Sequence, residues 1–157
     1  MRNPLAQARA LALLVPATAL AVAFGSQYLG GLTPCEMCWW QRYAHMAALA
    51  LALIAFVAGG RPLVWLAALA IAVSGGIGFY HAGVELHYFP GLTQCTATAT
   101  GGSTEEFLKA IMNAPLVRCD DIQWSLFGIS MAGWNAILSL SSALLILWLS
   151  LRRPRAT

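Results

Sequence analysis

The sequence has very little charge. Of its 157 residues only 10% are Asp, Glu, Lys or Arg, whereas 59% are hydrophobic. A soluble domain usually carries about 25% charged residues, so this composition excludes an ordinary soluble enzyme or binding module. The net charge is only +3, and most arginines stand at the ends of apolar segments, which excludes a basic surface for nucleic acid.

Long apolar segments dominate instead. A helix needs about 20 apolar residues to cross a bilayer. Four segments qualify, and Arg42 is the only charged residue within them: residues 10–29, 39–58, 63–83 and 126–151. The sequence therefore predicts one domain over residues 1–157, an all-α membrane protein with a bundle of four transmembrane helices. Two loops, residues 30–38 and 84–123, are predicted on the same side of the membrane.

The arginines predict the orientation of the spans. Arg2 and Arg9 precede the first span, Arg61 lies between the second and third, and three arginines follow the fourth. Because positive residues concentrate on the cytoplasmic side, both termini are predicted to be cytoplasmic. All six acidic residues and all four cysteines lie on the other side, as expected for an oxidising periplasm and a bacterial inner-membrane protein. The first span is long for a cleaved signal peptide, so we expect it to be retained.

Two of the cysteines, Cys35 and Cys38, form a Cys-x-x-Cys pair at the start of the second span. A disulfide between them would close so small a loop that it would remove little entropy from the unfolded chain. Reactivity is the better reason for the pair, because a mixed disulfide on one sulfur can be resolved by its neighbour. The spacing favours pairing of Cys95 with Cys119 across the second loop, either as a redox pair or as a static staple.

Metal binding is the main alternative use of the cysteines. A structural zinc site would need two closely spaced pairs, usually about two to four residues apart, but 23 residues separate Cys95 from Cys119. A c-type haem site requires histidine where this chain has Trp39. Copper binding by cysteines, Met37 and histidines remains open. We predict no metal site and keep a membrane metal-binding protein as the alternative function.

Three residues near the Cys-x-x-Cys pair are candidates for binding a flat redox ring. Arg42 lies four residues after Cys38, on the same helix face, where it could donate to a quinone carbonyl and stabilise a Cys38 thiolate. Its alternative role is to reach lipid phosphates. Trp39 is an interface residue by position and could also form one wall of the ring site. His81, near the end of the third span, could donate to the quinone or serve in packing.

The second loop and the later spans carry two further patterns. Ser103-x-x-Glu106 is a capping box before a short apolar run that Pro115 ends. It predicts a short amphipathic helix on the bilayer surface or against the end of the bundle. Close packing between helices is predicted at small residues of the third and fourth spans: Gly75, Gly76, Gly78, Ser139, Ser141 and Ser142.

The Pro-Cys-x-x-Cys-x-x-Gln-Arg motif at residues 34–42 resembles the signature of the DsbB family of disulfide bond formation proteins. The resemblance covers nearly the whole chain, including one cysteine pair per loop and Cys119, Trp124 and Gly128 before the last span. It implies a membrane thiol:quinone oxidoreductase that reoxidises a periplasmic thioredoxin-like oxidase similar to DsbA. The electrons would pass to ubiquinone, or to menaquinone without oxygen.

The resemblance also implies a role for each cysteine. The partner's thiolate would attack Cys95, and the released Cys119 would exchange with Cys35. Cys38 would then face the quinone ring as a thiolate stabilised by Arg42. Vitamin K epoxide reductase-like proteins share the four helices and the Cys-x-x-Cys pair, but their motif lies toward the end of the bundle, which argues against that family.

Overall fold

Four long helices make up most of the structure. The computed structural model describes residues 3–91, 103–105, 108, 112 and 117–152. Within these residues the long helices are α1 Pro4–Tyr28, α2 Glu36–Ala58, α3 Arg61–Glu85 and α4 Met131–Leu151. Each is long and apolar enough to cross a membrane. The predicted bundle of four transmembrane helices is confirmed.

Local sequence explains where the first helices begin and end. The side-chain oxygen of Asn3 accepts a hydrogen bond from the backbone N–H of Leu5 at 3.0 Å and so caps α1. Pro4 takes the first helical position, where its missing N–H is not needed. Between α2 and α3, Gly59 and Gly60 have φ values of 75° and 90°, which favour glycine. This two-residue link turns α3 back along α2.

A short hairpin precedes the last helix. Strand β1 Ser125–Leu126 pairs antiparallel with β2 Ile129–Ser130. Phe127 and Gly128 form the turn with φ values of 54° and 77°, and a type I′ turn requires positive φ at both positions. The predicted span began at residue 126, but the helix begins at Met131 because the hairpin occupies the preceding residues.

The helices pack in a ring in chain order. Helix α1 contacts α2, α2 contacts α3, α3 contacts α4, and α4 returns to α1. Far from the cysteines, small residues build most of the core around Val64, Ile71 and Ile146: Ala8, Ala12, Ala48, Ala52, Ala55, Ala67, Ala68 and Ala143. Small side chains let membrane helices approach closely, so the rotation of each helix is set by these contacts.

Two of the three glycines predicted to pack closely in α3 do so. A Cβ at Gly75 would lie 2.9 Å from Cγ of Leu140, and one at Gly78 would lie 2.9 Å from the carbonyl oxygen of Ala132. A Cβ at Gly76 would meet nothing within 4 Å, so the prediction is wrong for that residue. Gly75 and Gly78 are three residues apart and share a helix face, whereas Gly76 points elsewhere.

We expect Gly78→Ala to lower the free energy of unfolding by roughly 1–3 kcal/mol, because the added methyl would overlap backbone atoms of α4. Gly76→Ala is the matched control, since the same methyl enters free space. Thermal unfolding of both variants in the same detergent measures the difference. Equal melting temperatures would contradict close contact between α3 and α4 at Gly78.

The amphipathic helix predicted in the second loop lies mostly outside the described residues. Of the predicted segment, Thr104, Glu105, Leu108 and Met112 are described, and all four are helical and exposed. Its place on the bilayer surface stays a prediction.

Candidate thiol redox site

Three cysteines meet at one end of the bundle. Cys35 and Cys119 are buried and pack with Met37 and Val84. The Sγ atoms of Cys35 and Cys38 lie 3.1 Å apart, and Cys119 belongs to the same buried cluster as Cys35. The structure therefore brings cysteines from both loops into one cluster.

The remaining predicted site cysteine, Cys95, lies outside the described residues. The segment after Cys119 docks onto the first loop, because Nε2 of Gln123 donates to the carbonyl oxygen of Thr33 at 2.9 Å. Beside Cys119, two N–H groups of Arg118 donate to the carboxylate of Asp120 and hold its pKa below the ordinary value. Side chains on both sides of Cys119 are therefore held by hydrogen bonds.

Cys35 occupies the N-cap position of α2. Its sulfur accepts a hydrogen bond from the backbone N–H of Cys38 at 3.3 Å, where an oxygen usually caps a helix. The positive end of the helix dipole favours a thiolate at this position. The pKa of Cys35 is nevertheless raised, first by the neighbouring Cys119 and Cys38 side chains and then by burial. Within the cluster, Cys35 is therefore held as a thiol.

His81 of α3 lies directly beside the cysteines. Its Nε2 is 3.6 Å from Sγ of Cys35 and 3.1 Å from the carbonyl oxygen of Cys119. One turn later, Oε1 of Glu85 lies 3.8 Å from the same nitrogen. The other carboxylate oxygen of Glu85 accepts a hydrogen bond from Ser130, the residue that caps α4. The ends of α3 and α4 are thus tied together at the thiol cluster.

Arg42 is buried between aromatic rings. Its guanidinium carbon lies 4.9 Å from the ring centroid of Phe24 and 5.0 Å from that of Trp39. It donates to the side-chain oxygen of Gln27 and, at 3.0 Å, to the carbonyl oxygen of Ala23. The side chain is therefore anchored to α1 instead of extending to the bilayer surface.

A cavity of about 1220 Å³ opens beside the cysteines, between α1 and α4. Its wall is mostly apolar and extends along α1 as far as Leu14. Cys38, Arg42 and His81 all line it, whereas Trp39 does not and reaches the site only through its contact with Arg42. A ligand with a polar head and an apolar tail would fit here, because the cavity offers polar side chains beside the cysteines and an apolar wall along α1.

A metal ion is the other ligand to consider. The sulfurs of Cys35 and Cys38 and a ring nitrogen of His81 lie within 4.8 Å of one another, close enough to bind one soft ion. However, Nε2 of His81 lies at hydrogen-bonding distance from the carbonyl oxygen of Cys119, which can only accept. The nitrogen therefore carries a proton in this arrangement and has no lone pair for a metal. The geometry favours thiol chemistry.

Several polar residues around the site were not predicted from the sequence. Glu85 lies beside His81 and accepts a hydrogen bond from Ser130. Gln27 accepts a hydrogen bond from Arg42. Gln41 and Asn135 lie deeper in the bundle and contact each other. A polar side chain inside a membrane span is costly, and that cost is the signal that could have found Gln41 and Asn135.

Fold and site together define a multi-pass membrane protein with a buried cluster of redox-capable thiols at one end of its helix bundle. The sequence model of the family Disulfide bond formation protein DsbB matches residues 6–149. The chain belongs to the DsbB family and is a disulfide-forming oxidoreductase.

Its curated relatives cover nearly the whole chain. Disulfide bond formation protein B of Marinobacter nauticus is 32% identical over 154 residues, which is 91% of this chain and 90% of the relative. Proteins of the same name from Paracidovorax citrulli and a Polaromonas species are 32% and 31% identical, each over 94% of this chain and over 89% and 92% of their own length. No solved structure gives a significant match.

Proposed function

We propose that the protein is a dithiol:quinone oxidoreductase. It would reoxidise a periplasmic thioredoxin-like disulfide oxidase and pass the electrons to a membrane quinone. The observation that carries this proposal is one cavity with Cys38 and Arg42 in its wall, directly beside the buried cluster that contains Cys35 and Cys119. A thiol pair and a lipid-soluble acceptor could meet there without leaving the bilayer.

The proposed setting is the bacterial inner membrane, with both termini in the cytoplasm and the cysteines in the periplasm. The contact between Gln123 and Thr33 supports placing both loops at one end of the bundle. Arg61 begins α3 and Arg152 follows α4, so both lie at the other end, where cytoplasmic positive charge is expected.

Electrons would enter through a Cys95–Cys119 disulfide. A thiolate of the partner attacks Cys95, which forms a mixed disulfide and releases Cys119 as a thiolate. Cys119 attacks Cys35 of the Cys35–Cys38 disulfide and releases the Cys38 thiolate. The partner's second thiol then breaks the mixed disulfide, so the partner leaves oxidised and Cys95 leaves reduced. The packing of Cys35 and Cys119 in one buried cluster supports this exchange.

The second half of the reaction returns the first pair to its oxidised state. Cys95 attacks Cys119 in the Cys35–Cys119 disulfide, which restores the loop disulfide and frees Cys35. Cys35 and Cys38 are then a dithiol, and closing their disulfide releases two electrons and two protons. The balance therefore requires a two-electron acceptor at Cys38.

The cavity suits a quinone, either ubiquinone or menaquinone, because a polar end with a long apolar extension matches its head and tail. A bound quinone supplies the chemistry of a two-electron, two-proton acceptor. Arg42 would donate to the ring carbonyl and stabilise the Cys38 thiolate one helical turn away. Trp39 would hold the guanidinium plane in place, and His81 would lie at the edge of the ring site.

The test is quinone reduction by the purified protein, followed by absorbance, with a reduced thioredoxin-like periplasmic oxidase as the donor. The unmodified chain is expected to turn over, and Cys95→Ser is expected to abolish turnover. Ser141→Ala is the control, since this exposed hydroxyl bonds only carbonyls of its own helix within the described residues.

No turnover by the unmodified chain, with several donors and both quinones, would overturn the proposal. Bound metal would then be measured, because the metal-binding alternative requires stoichiometric metal and reduced cysteines. The close approach of Cys35, Cys38 and His81 is the observation that keeps this alternative worth measuring.

A further inference from the structure

A continuous set of hydrogen bonds runs from His81 into the middle of the bundle. Nε2 of Gln41 lies 3.0 Å from Nδ1 of His81, and Nδ2 of Asn135 lies 2.7 Å from Oε1 of Gln41. Oδ1 of Asn135 lies 2.9 Å from Nε2 of His45 and 2.8 Å from Oγ of Ser139. Buried polar groups in an apolar bundle are costly, so a connected set indicates a role beyond packing.

The orientation of the Asn135 amide follows from a backbone neighbour. Its Nδ2 lies 3.2 Å from the carbonyl oxygen of Ser74, which can only accept a hydrogen bond. The opposite orientation would place two oxygens against each other. Nδ2 therefore donates to Ser74 and to Gln41, and Oδ1 accepts from His45 and Ser139 on the other side.

The same reasoning determines the orientation of Gln41. Its Nε2 lies 3.2 Å from the carbonyl oxygen of Met37, again a group that only accepts. Its Oε1 faces the donor Nδ2 of Asn135, so a flipped amide would be repelled at both ends. Nε2 of Gln41 is thus a donor, and it donates to Nδ1 of His81.

The proton of a neutral His81 must then lie on Nε2. That N–H faces the carbonyl oxygen of Cys119, the sulfur of Cys35 and, farther away, the carboxylate of Glu85. Protonating Nδ1 as well would turn one N–H toward the amide N–H groups of Gln41. The carboxylate and the thiols that face the ring all lie on the Nε2 side, so the Gln41 amide and the burial of the ring both oppose a second proton at Nδ1.

We propose that Gln41 and Asn135 are positioning residues that hold His81 as a neutral ring with its proton on Nε2, where it faces the carbonyl oxygen of Cys119 and the sulfur of Cys35. During turnover this N–H donates to Cys35 when that sulfur becomes a thiolate, so His81 acts as a hydrogen-bond donor and not as a base. The effect on turnover rests on the proposed function, whereas the protonation of the ring does not.

The ring can be observed directly by ¹⁵N NMR of histidine-labelled protein in detergent. The chain has three histidines, and the signal lost in His81→Asn identifies the ring of interest. At pH 7 we expect neutral His81 with the proton on Nε2. Asn135→Leu is expected to release Gln41, so that a second proton on Nδ1 is opposed less and part of the His81 signal becomes that of an imidazolium at pH 7, while Ser141→Ala leaves the spectrum unchanged. A proton on Nδ1 in the unmodified chain would overturn the proposal.

Gln41→Glu is the second test, because it keeps the size of the side chain and removes the donor. The carboxylate would accept from Asn135 and from a protonated Nδ1, so His81 should become an imidazolium at a pH where the unmodified ring is neutral. The acid side of the turnover profile should move to lower pH by about one unit or more, since a cation beside Cys35 favours its thiolate.

The two readouts separate failure of this inference from failure of the proposed function. If no protein turns over quinone, the NMR spectra still decide the tautomer. If Gln41→Glu leaves both the ring and the pH profile unchanged, Gln41 does not control His81 and the inference is wrong.

Discussion

Replacing Cys38 by serine is expected to reduce quinone reduction by at least about 10³-fold, because the residue supplies the sulfur that must be oxidised at the cavity. A hydroxyl cannot form the disulfide with Cys35 that closes the cycle. The Sγ atoms of Cys35 and Cys38 are only 3.1 Å apart, so the pair can close without rearrangement of the helix. Cys38 is also the less buried of the two residues.

The partner reaction separates this defect from misfolding. Cys38→Ser keeps Cys95 and Cys119, so it should still form a mixed disulfide with the reduced oxidase, visible as a shifted band on a non-reducing gel. Ser141→Ala should match the unmodified protein in both assays. Residual quinone reduction by Cys38→Ser above about one tenth of the unmodified rate would contradict the role assigned to this sulfur.

Arg42→Lys is expected to raise the KM for quinone by about 10–100-fold although the positive charge is kept. The guanidinium lies between the rings of Phe24 and Trp39 and donates to Gln27 and Ala23 at the same time. An ammonium group has neither the plane for stacking nor the fork for two acceptors on α1. Lysine would therefore not hold a hydrogen-bond donor in a fixed direction toward the cavity, as the remaining N–H groups of the arginine do.

Comparison with Arg42→Met separates geometry from charge. The methionine variant should also slow oxidation of the Cys35–Cys38 pair, because the Cys38 thiolate would lose its nearby cation. Exchange with the partner at Cys95 should be unchanged in both variants. A lysine variant with the KM of the unmodified chain would show that charge suffices and that the stacked position of Arg42 is not needed for ring binding.

The four-helix fold could be predicted from the sequence because the bilayer allows few alternatives. Backbone groups in lipid must be hydrogen bonded internally, so each long uncharged segment has to be a helix. The spacing of Cys38 and Arg42 placed both on one face of α2 for the same reason. The Cys-x-x-Cys pair pointed to thiol chemistry because its short loop gives little stability.

The rest of the site could not be predicted from the sequence, because it depends on how each helix is rotated about its axis relative to its neighbours. Apolar runs report the length of a span but not which face meets its neighbour, so Gly76 was expected to pack like Gly75 and Gly78. The contact of Gln41 with Asn135 joins residues 94 positions apart in the chain. Nothing in either local sequence predicts that contact.

The sequence by itself therefore determined the class of fold, the number of spans and the thiol pair beside an arginine, since each follows from local composition and helical periodicity. Only the tertiary structure decided that Cys119 reaches Cys35, that Arg42 is anchored to α1, and that backbone carbonyls orient the Gln41 and Asn135 amides. Those contacts depend on small residues letting the helices approach at particular rotations, and close packing of that kind is a property of the assembled bundle.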